Sequence, residues 1–204
     1  MACSPHKYPV LLIVGLLIIS TTCSAAEFNT KIDIGDAAPS WQSIPGTDEQ
    51  SHGLDDYKSK KLIVTVFTCN TCPVAVDYED RLIALQKEYA DKDVQIVAIN
   101  VNTNKGNRFD EMKQRAADKN FNFPYLYDES QQSARDYGAS VTPHVFVLDE
   151  DRNVAYMGAI DDHRNESKVK KRHLKSAIDA LLAGKTPTVT DTRQFGCGIK
   201  FKKK

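Results

Sequence analysis

An α/β fold, a mixed β-sheet flanked by helices on both faces, is what this 204-residue sequence predicts. Three observations carry that reading. Leu62, Ile63, Val64, Val66 and Phe67 form a β-branched and aromatic run that reads as a buried strand, and Val94, Ile96, Val97, Ala98, Ile99 and Val101 form a second. Between them Val74, Tyr78, Leu82, Leu85 and Tyr89 recur at spacings of three and four, one face of a helix. A late apolar run, His144–Leu148, opens directly behind Pro143; across a polar turn Val154, Tyr156 and Gly158 supply an antiparallel partner. The expected order is β-α-β-α-β-β-α.

The chain opens on a segment outside that fold. His6 and Lys7 give a weakly positive start, Val10–Ile19 an apolar run, and Ser24-Ala25-Ala26 the small residues a signal peptidase reads. Residues 1–26 are expected to be a secretory signal peptide and the mature protein to be exported, periplasmic or extracellular. Membrane attachment is expected only if this segment is retained or lipidated at Cys23, whose upstream Ser20-Thr21-Thr22 lacks the usual leucine. Lysine plus arginine and aspartate plus glutamate balance at 27 each, so no global charge asks for nucleic acid.

Residues 27–185 are expected to form one domain. Glu27–Ser59 is a lead-in with turns at Gly35–Pro39 and Pro45-Gly46. The first strand follows, and the helix behind Cys72 should end near Asp91–Asp93. After the second strand come a polar loop, Asn102–Asn107, and a helix carrying Phe109, Met112 and Ala116. Phe123–Tyr127 reads as a short extended segment, and Ser130–Tyr137 as a short helix ended by Gly138. Leu174, Ala177, Ile178, Leu181 and Leu182 make the last helix, stopped by Gly184; residues 186–204 form a tail with Cys197 between two glycines and a terminal lysine cluster.

Chemistry concentrates on Cys69 and Cys72, at a strand-to-helix turn where Pro73 suits the first helical position. A helix N-terminus stabilises a thiolate, the reactive form of cysteine. As a structural staple the pair would be weak: so small a loop contributes about 2 kcal/mol in the chain-entropy model. Half a zinc site would need two further ligands, and no second C-x-x-C or H-x-x-x-H exists. Thiol–disulfide exchange is therefore expected, with protein or small-molecule thiols and disulfides and an electron donor as partners and no cofactor or resident metal. Cys69, ahead of the helix, should attack; Cys72, inside its first turn, should resolve. Once the signal has left, Cys69, Cys72 and Cys197 remain, and an odd exported cysteine makes Cys197 a candidate third redox partner. Pro143 lacks an N–H and should leave the Thr142 backbone free to pair with a substrate strand. His144 could join Cys69 and Cys72 in a copper site or be an ordinary strand histidine; His52 and His163 read as surface residues.

Cys69-x-x-Cys72-Pro73 behind a buried strand, with Thr142-Pro143 ahead of a late one, resembles the thioredoxin fold. Gly35-Asp36-x-Ala38-Pro39, Glu79-Asp80-Arg81-Leu82, Phe123–Asp128, Gly158-x-x-Asp161-Asp162 and the Gly196–Lys200 tail are similar to redoxins of the alkyl hydroperoxide reductase and thiol-specific antioxidant, or peroxiredoxin-like, family. The resemblance covers roughly residues 33–184 and implies a cis Pro143 packed against the cysteines. It also implies an alternative activity, peroxide reduction through Cys72. Cys69 stands where those peroxidases carry threonine and the upstream proline is missing, which argues for exchange over peroxide chemistry. The place where thioredoxins often bury an acid holds Ile63.

Overall fold

The computed structural model describes residues 26–203. The signal-peptide reading of 1–26 thus lies outside the described residues but for Ala26, as do Cys3, Cys23 and Lys204. Among the described residues no helix is long and apolar enough to cross a membrane.

In chain order the elements are β1 (Ile44–Pro45), β2 (Ser51–His52), β3 (Leu62–Thr68), α1 (Pro73–Val76), α2 (Glu79–Tyr89), β4 (Val94–Asn100), α3 (Phe109–Lys119), β5 (Tyr125–Tyr127), α4 (Gln132–Asp136), β6 (Val141–Thr142), β7 (His144–Leu148), β8 (Val154–Gly158), α5 (His173–Leu182) and β9 (Cys197–Gly198). Five of the strands make one mixed sheet in the order β5-β4-β3-β7-β8. β3, β4 and β5 run parallel; β7 runs antiparallel to β3, and β8 to β7.

β3 is the central strand, and its sequence suits that place. All seven of its residues are buried, so both of its faces are apolar and neither tolerates solvent. Leu62, Val64 and Val66 point to one face with Ile96, Val145 and Val147, under Leu82 and Tyr89 of α2, Met112 of α3 and Leu174 and Ile178 of α5. Ile63 and Phe67 point to the other with Ile99, Phe146 and Leu148, under Trp41, Ile44, Tyr57 and α4. That is the period of two of a strand, read on both faces. Each large apolar side chain so buried contributes about 1.5–3 kcal/mol relative to exposure.

Two expectations change, and the tail takes a definite place. The single helix behind Cys72 is two helices, broken at Asp77–Tyr78. The Asp77 carbonyl accepts from the Arg81 guanidinium at 3.1 Å, a side-chain contact that periodicity does not show. His52 is buried, held by Tyr57 Oη at 2.7 Å and Asp48 at 3.0 Å. The tail is not loose. Thr190 O accepts from Met157 N and Met157 O from Thr192 N along the edge of β8, and β9 then pairs with β6.

The tail's approach makes Gly158 indispensable. Its φ is +129°, and a Cβ there would lie 2.2 Å from the Thr192 carbonyl oxygen. Gly158→Ala is expected to destabilise the protein by about 1–3 kcal/mol, read as a lowered urea midpoint. An unchanged midpoint would show that the tail yields at no cost.

Candidate active site

The register brings one end of the sheet together. Thr68, the last residue of β3, lies beside Asn100, the last of β4, and Phe67 lies opposite His144, the first of β7. Cys69, the loop that begins at Asn102 and Pro143 therefore all emerge at the same edge, the carboxyl end of the parallel strands. The Thr142–Pro143 bond is cis, as the resemblance implies.

Cys69 and Cys72 are both buried, 3% and 2% exposed, and both are free thiols. Cys69 Sγ lies 3.3 Å from Thr142 Oγ1. Cys72 is the residue that caps α1, with Pro73 at the first helical position, and its Sγ accepts from the Ala75 N–H at 3.4 Å. The loop between the cysteines is held from outside. Asn107 Oδ1 accepts from Asn70 N at 2.9 Å, Asn107 Nδ2 donates to Thr71 Oγ1 at 2.8 Å, and Tyr125 Oη donates to Asn70 Oδ1 at 2.8 Å. Asn107 is itself placed by Asn100, whose Nδ2 donates to its carbonyl at 2.9 Å.

These contacts treat the two sulfurs differently. The exposure difference that would favour Cys69 is absent, and the cap position belongs to Cys72. The Cys69 thiol hydrogen-bonds to Cys72 and so holds the Cys72 thiol well below its ordinary value, against the opposing effect of burial; Cys197 and the Ala75 N–H add to the lowering. The same bond, with burial, holds Cys69 well above its ordinary value. The Thr142 carbonyl is the contact that favours the protonated form, accepting from the Cys72 thiol at 3.1 Å. Cys72 is thus the sulfur whose ionisation is favoured, and Cys69 the one whose ionisation is opposed.

The Thr142 backbone, expected from sequence to be free for an incoming strand, has Cys197 as its β-ladder partner. Cys197 is half-buried and packs against Cys69, Cys72 and Ala75. The cysteines line a cavity of about 190 Å³ with Thr71, Asn102 and Asn104. A larger cleft, about 550 Å³, lies at the other end of β3 between Lys61, Asp149 and Leu182 and touches none of these groups.

His144 does not join the sulfurs. Its ring packs 4.4 Å from that of Phe146, it is 1% exposed, and burial pushes its pKa down to about 3. It is a buried strand histidine whose Nδ1 finds no hydrogen-bond partner among the described residues. Among the described residues no group of three or more His, Cys, Asp or Glu side chains is arranged to hold a metal ion, which corrects the copper alternative through Cys69, Cys72 and His144.

Asn100, Asn102, Asn107 and Tyr125 were not singled out from sequence. The one available signal was the run of asparagines directly after a buried strand, polar residues with no local turn to account for them all.

The residue pairs behind the resemblance also find partners. Glu79 takes Arg115 by both carboxylate oxygens, at 2.9 and 2.6 Å, and Arg81 takes Asp161 at 2.6 Å. Asp128 accepts from the backbone N–H groups of Gln131 and Ser133 and fastens the start of α4.

A family model described as Redoxin matches residues 33–172. No curated protein matches the chain. Among solved structures, an uncharacterized conserved protein from Geobacillus kaustophilus is 33% identical, over 85% of this chain and 95% of its own, with a TM-score of 0.80. A hypothetical protein from Sinorhizobium meliloti 1021 is 30% identical over 85% and 97%, also at 0.80. A candidate thiol:disulfide interchange protein, DsbE, from Chlorobium tepidum is 25% identical over 62% and 84%, at 0.55. The sheet order and these likenesses give the chain a thioredoxin-like fold.

Proposed function

Since this chain belongs to the redoxin family, whose chemistry is thiol redox, we propose that it is an exported thiol–disulfide oxidoreductase working through Cys72 and Cys69. The observation that carries the reading is the unequal pair: Cys72 caps α1 with its Sγ on the Ala75 N–H, while Cys69 lies ahead of the helix against Thr142 Oγ1.

The steps follow from that inequality. The Cys72 thiolate attacks one sulfur of a substrate disulfide. The S–S bond breaks, one substrate thiolate leaves and takes a proton, and a Cys72–substrate disulfide forms. Cys69 then gives up its proton and attacks Cys72, releasing the second substrate thiol and closing a Cys69–Cys72 disulfide. Two electrons pass from the pair to the substrate, and a dithiol donor returns them. In the reverse direction, with the pair oxidised, a substrate dithiol takes the same path through Cys72. Cys197 extends the relay: with the pair oxidised, its thiolate attacks Cys72, forming a Cys72–Cys197 disulfide and freeing Cys69 as a thiol, with no net electron transfer. Export rests on the sequence of residues 1–26, and an oxidising compartment suits a disulfide-forming pair.

Purified chains carrying Cys69→Ser or Cys72→Ser decide among activities. Both are expected to lose reduction of a protein disulfide, and Cys69→Ser to accumulate the Cys72–substrate disulfide on a non-reducing gel. If either variant works like the parent, the reading fails. Peroxide turnover in the parent and in Cys69→Ser, lost only in Cys72→Ser, would instead make the protein a peroxidase.

A further inference from the structure

The end of the chain lies across the cysteines as an extended strand. β9 pairs antiparallel with β6, Cys197 opposite Thr142 and Gly198 opposite Val141. Gly196 comes so close that a Cβ there would lie 2.0 Å from the Thr142 carbonyl oxygen. Beyond β9, Ile199 N donates to Ser140 O at 2.8 Å and Lys200 N to Asn102 Oδ1 at 3.3 Å. Gln131 then clasps the strand from both sides: its Nε2 donates to Lys200 O at 3.0 Å, and its Oε1 accepts from Lys202 N at 2.7 Å. Arg135 donates to Lys202 O at 3.0 Å.

Every one of these bonds reads main chain. Beyond Cys197, two side chains of the strand are seated by packing. Ile199 enters the core at 9% exposure, and Phe201 lies under the Arg135 guanidinium at 4.3 Å. Ile199 and Phe201 stand two and four residues beyond Cys197, the alternation of one face of a strand. A groove that holds an extended segment by its backbone, with pockets for alternate side chains, is the general form of strand-addition recognition. Here the groove leads a cysteine to Cys72, and the segment filling it is the protein's own.

We infer that residues 196–201 are a tethered occupant of the substrate groove. The inference rests on the thiol–disulfide reading and names its substrate class: an extended polypeptide segment whose cysteine follows a glycine and precedes apolar residues at the second and fourth positions. The glycine is required by the Thr142 carbonyl, the apolar residues by the places Ile199 and Phe201 now fill. Cys197 occupies the position of the substrate cysteine. A substrate reaches Cys72 by displacing the tail, so the tail sets which polypeptides compete.

The test measures access, not turnover. In the reduced Cys197→Ser chain, labelling of Cys69 and Cys72 by a fluorescent maleimide is expected to be slow. Adding Gly196→Val drives β9 off the Thr142 carbonyl and is expected to speed labelling about 10-fold or more, the signature of a local opening. A hexapeptide copying residues 196–201, with serine for its cysteine, is expected to restore protection to that opened chain; the same peptide with alanine at both apolar positions is not. Equal labelling of the closed and opened chains overturns the inference, as does equal protection by the two peptides. Neither result touches the oxidoreductase reading, since maleimide labelling requires no disulfide exchange. A chain inactive toward every disulfide but still protected by its tail would remove that reading and leave the groove.

Discussion

On the proposed function, Cys72→Ser is expected to take disulfide exchange down by about 10³-fold or more, to background, because a serine hydroxyl at that position carries no nucleophilic charge at neutral pH. Cys69→Ala separates the two sulfurs in a second way. It leaves Cys72 as cap of α1 with its Ala75 N–H, but removes the S–H that contributes most to its acidity. Thiolate absorbance followed against pH is therefore expected to show an acidic titration in the parent, no acidic titration in Cys72→Ser, and in Cys69→Ala a titration moved up toward the ordinary thiol value near 9. A midpoint unmoved in Cys69→Ala would mean that the N–H groups alone hold the charge. Stability must follow the same protons. Between the depressed native value of Cys72 and its ordinary value, the unfolded chain holds more protons than the native one, so stability of the reduced protein rises with pH through that window. Above the ordinary value the sign turns. The unfolded Cys69 ionises while the native one, raised by its neighbour and by burial, does not, so stability falls. Urea midpoints should peak near the ordinary thiol value, and in Cys72→Ser the rising limb attributable to that sulfur should be gone.

What the sequence makes legible here depends on whether a residue's environment is local. Leu62–Phe67 reads as a buried strand because nearly every position is apolar, and β3 covers Leu62–Thr68. Gly138 and Gly184 mark helix ends and take the left-handed φ, +66° and +68°, that such ends use. The cysteine pair and Pro143 are likewise local patterns, and the sheet register joins them. The break at Asp77–Tyr78 is different: the apolar spacing runs straight through it, and the carbonyl that leaves the helix does so for Arg81, whose position depends on Asp161, 80 residues on. β9 is only two residues long and is a strand only because β6 lies beside it. The relative acidity of the sulfurs is non-local for the same reason. Helix position alone suggests that the earlier cysteine attacks, but acidity is decided by which sulfur donates to the other and by which one caps the helix, and both are facts of three-dimensional arrangement.

Arg81→Met is expected to destabilise the protein by about 3–5 kcal/mol, because it leaves Asp161 charged and unpaired inside the structure. The two side chains are 7% and 5% exposed and meet at 2.6 Å. At 204 residues that loss corresponds to roughly 10 °C in the thermal midpoint. The charge accounts for the size of the effect, and pH tests that account. Burial already pushes the Asp161 carboxyl up, with Arg81 holding it down; without Arg81 it rises further, and a protonated Asp161 has no charge to bury. The deficit of Arg81→Met relative to the parent should therefore be full near neutrality and shrink as pH falls through the raised Asp161 value. A deficit constant with pH would assign the loss to packing, since the guanidinium also lies 3.8 Å over the Tyr78 ring. The pair reaches the cysteine site through the backbone it holds. Arg81 donates to the carbonyls of Asp77, His163 and Arg164, and Arg164 in turn bonds Asp77 at 2.6 Å and the Pro73 carbonyl at 3.5 Å. Asp77 and Pro73 bound the four-residue helix that Cys72 caps. Arg81→Met should thus also loosen the Ala75 N–H from Cys72, and the thiolate titration of the variant is expected to move upward at temperatures where it is still folded. Arg81→Lys keeps a charge but has one nitrogen for the contacts that two guanidinium nitrogens now make; it should recover the stability in part while leaving the titration displaced.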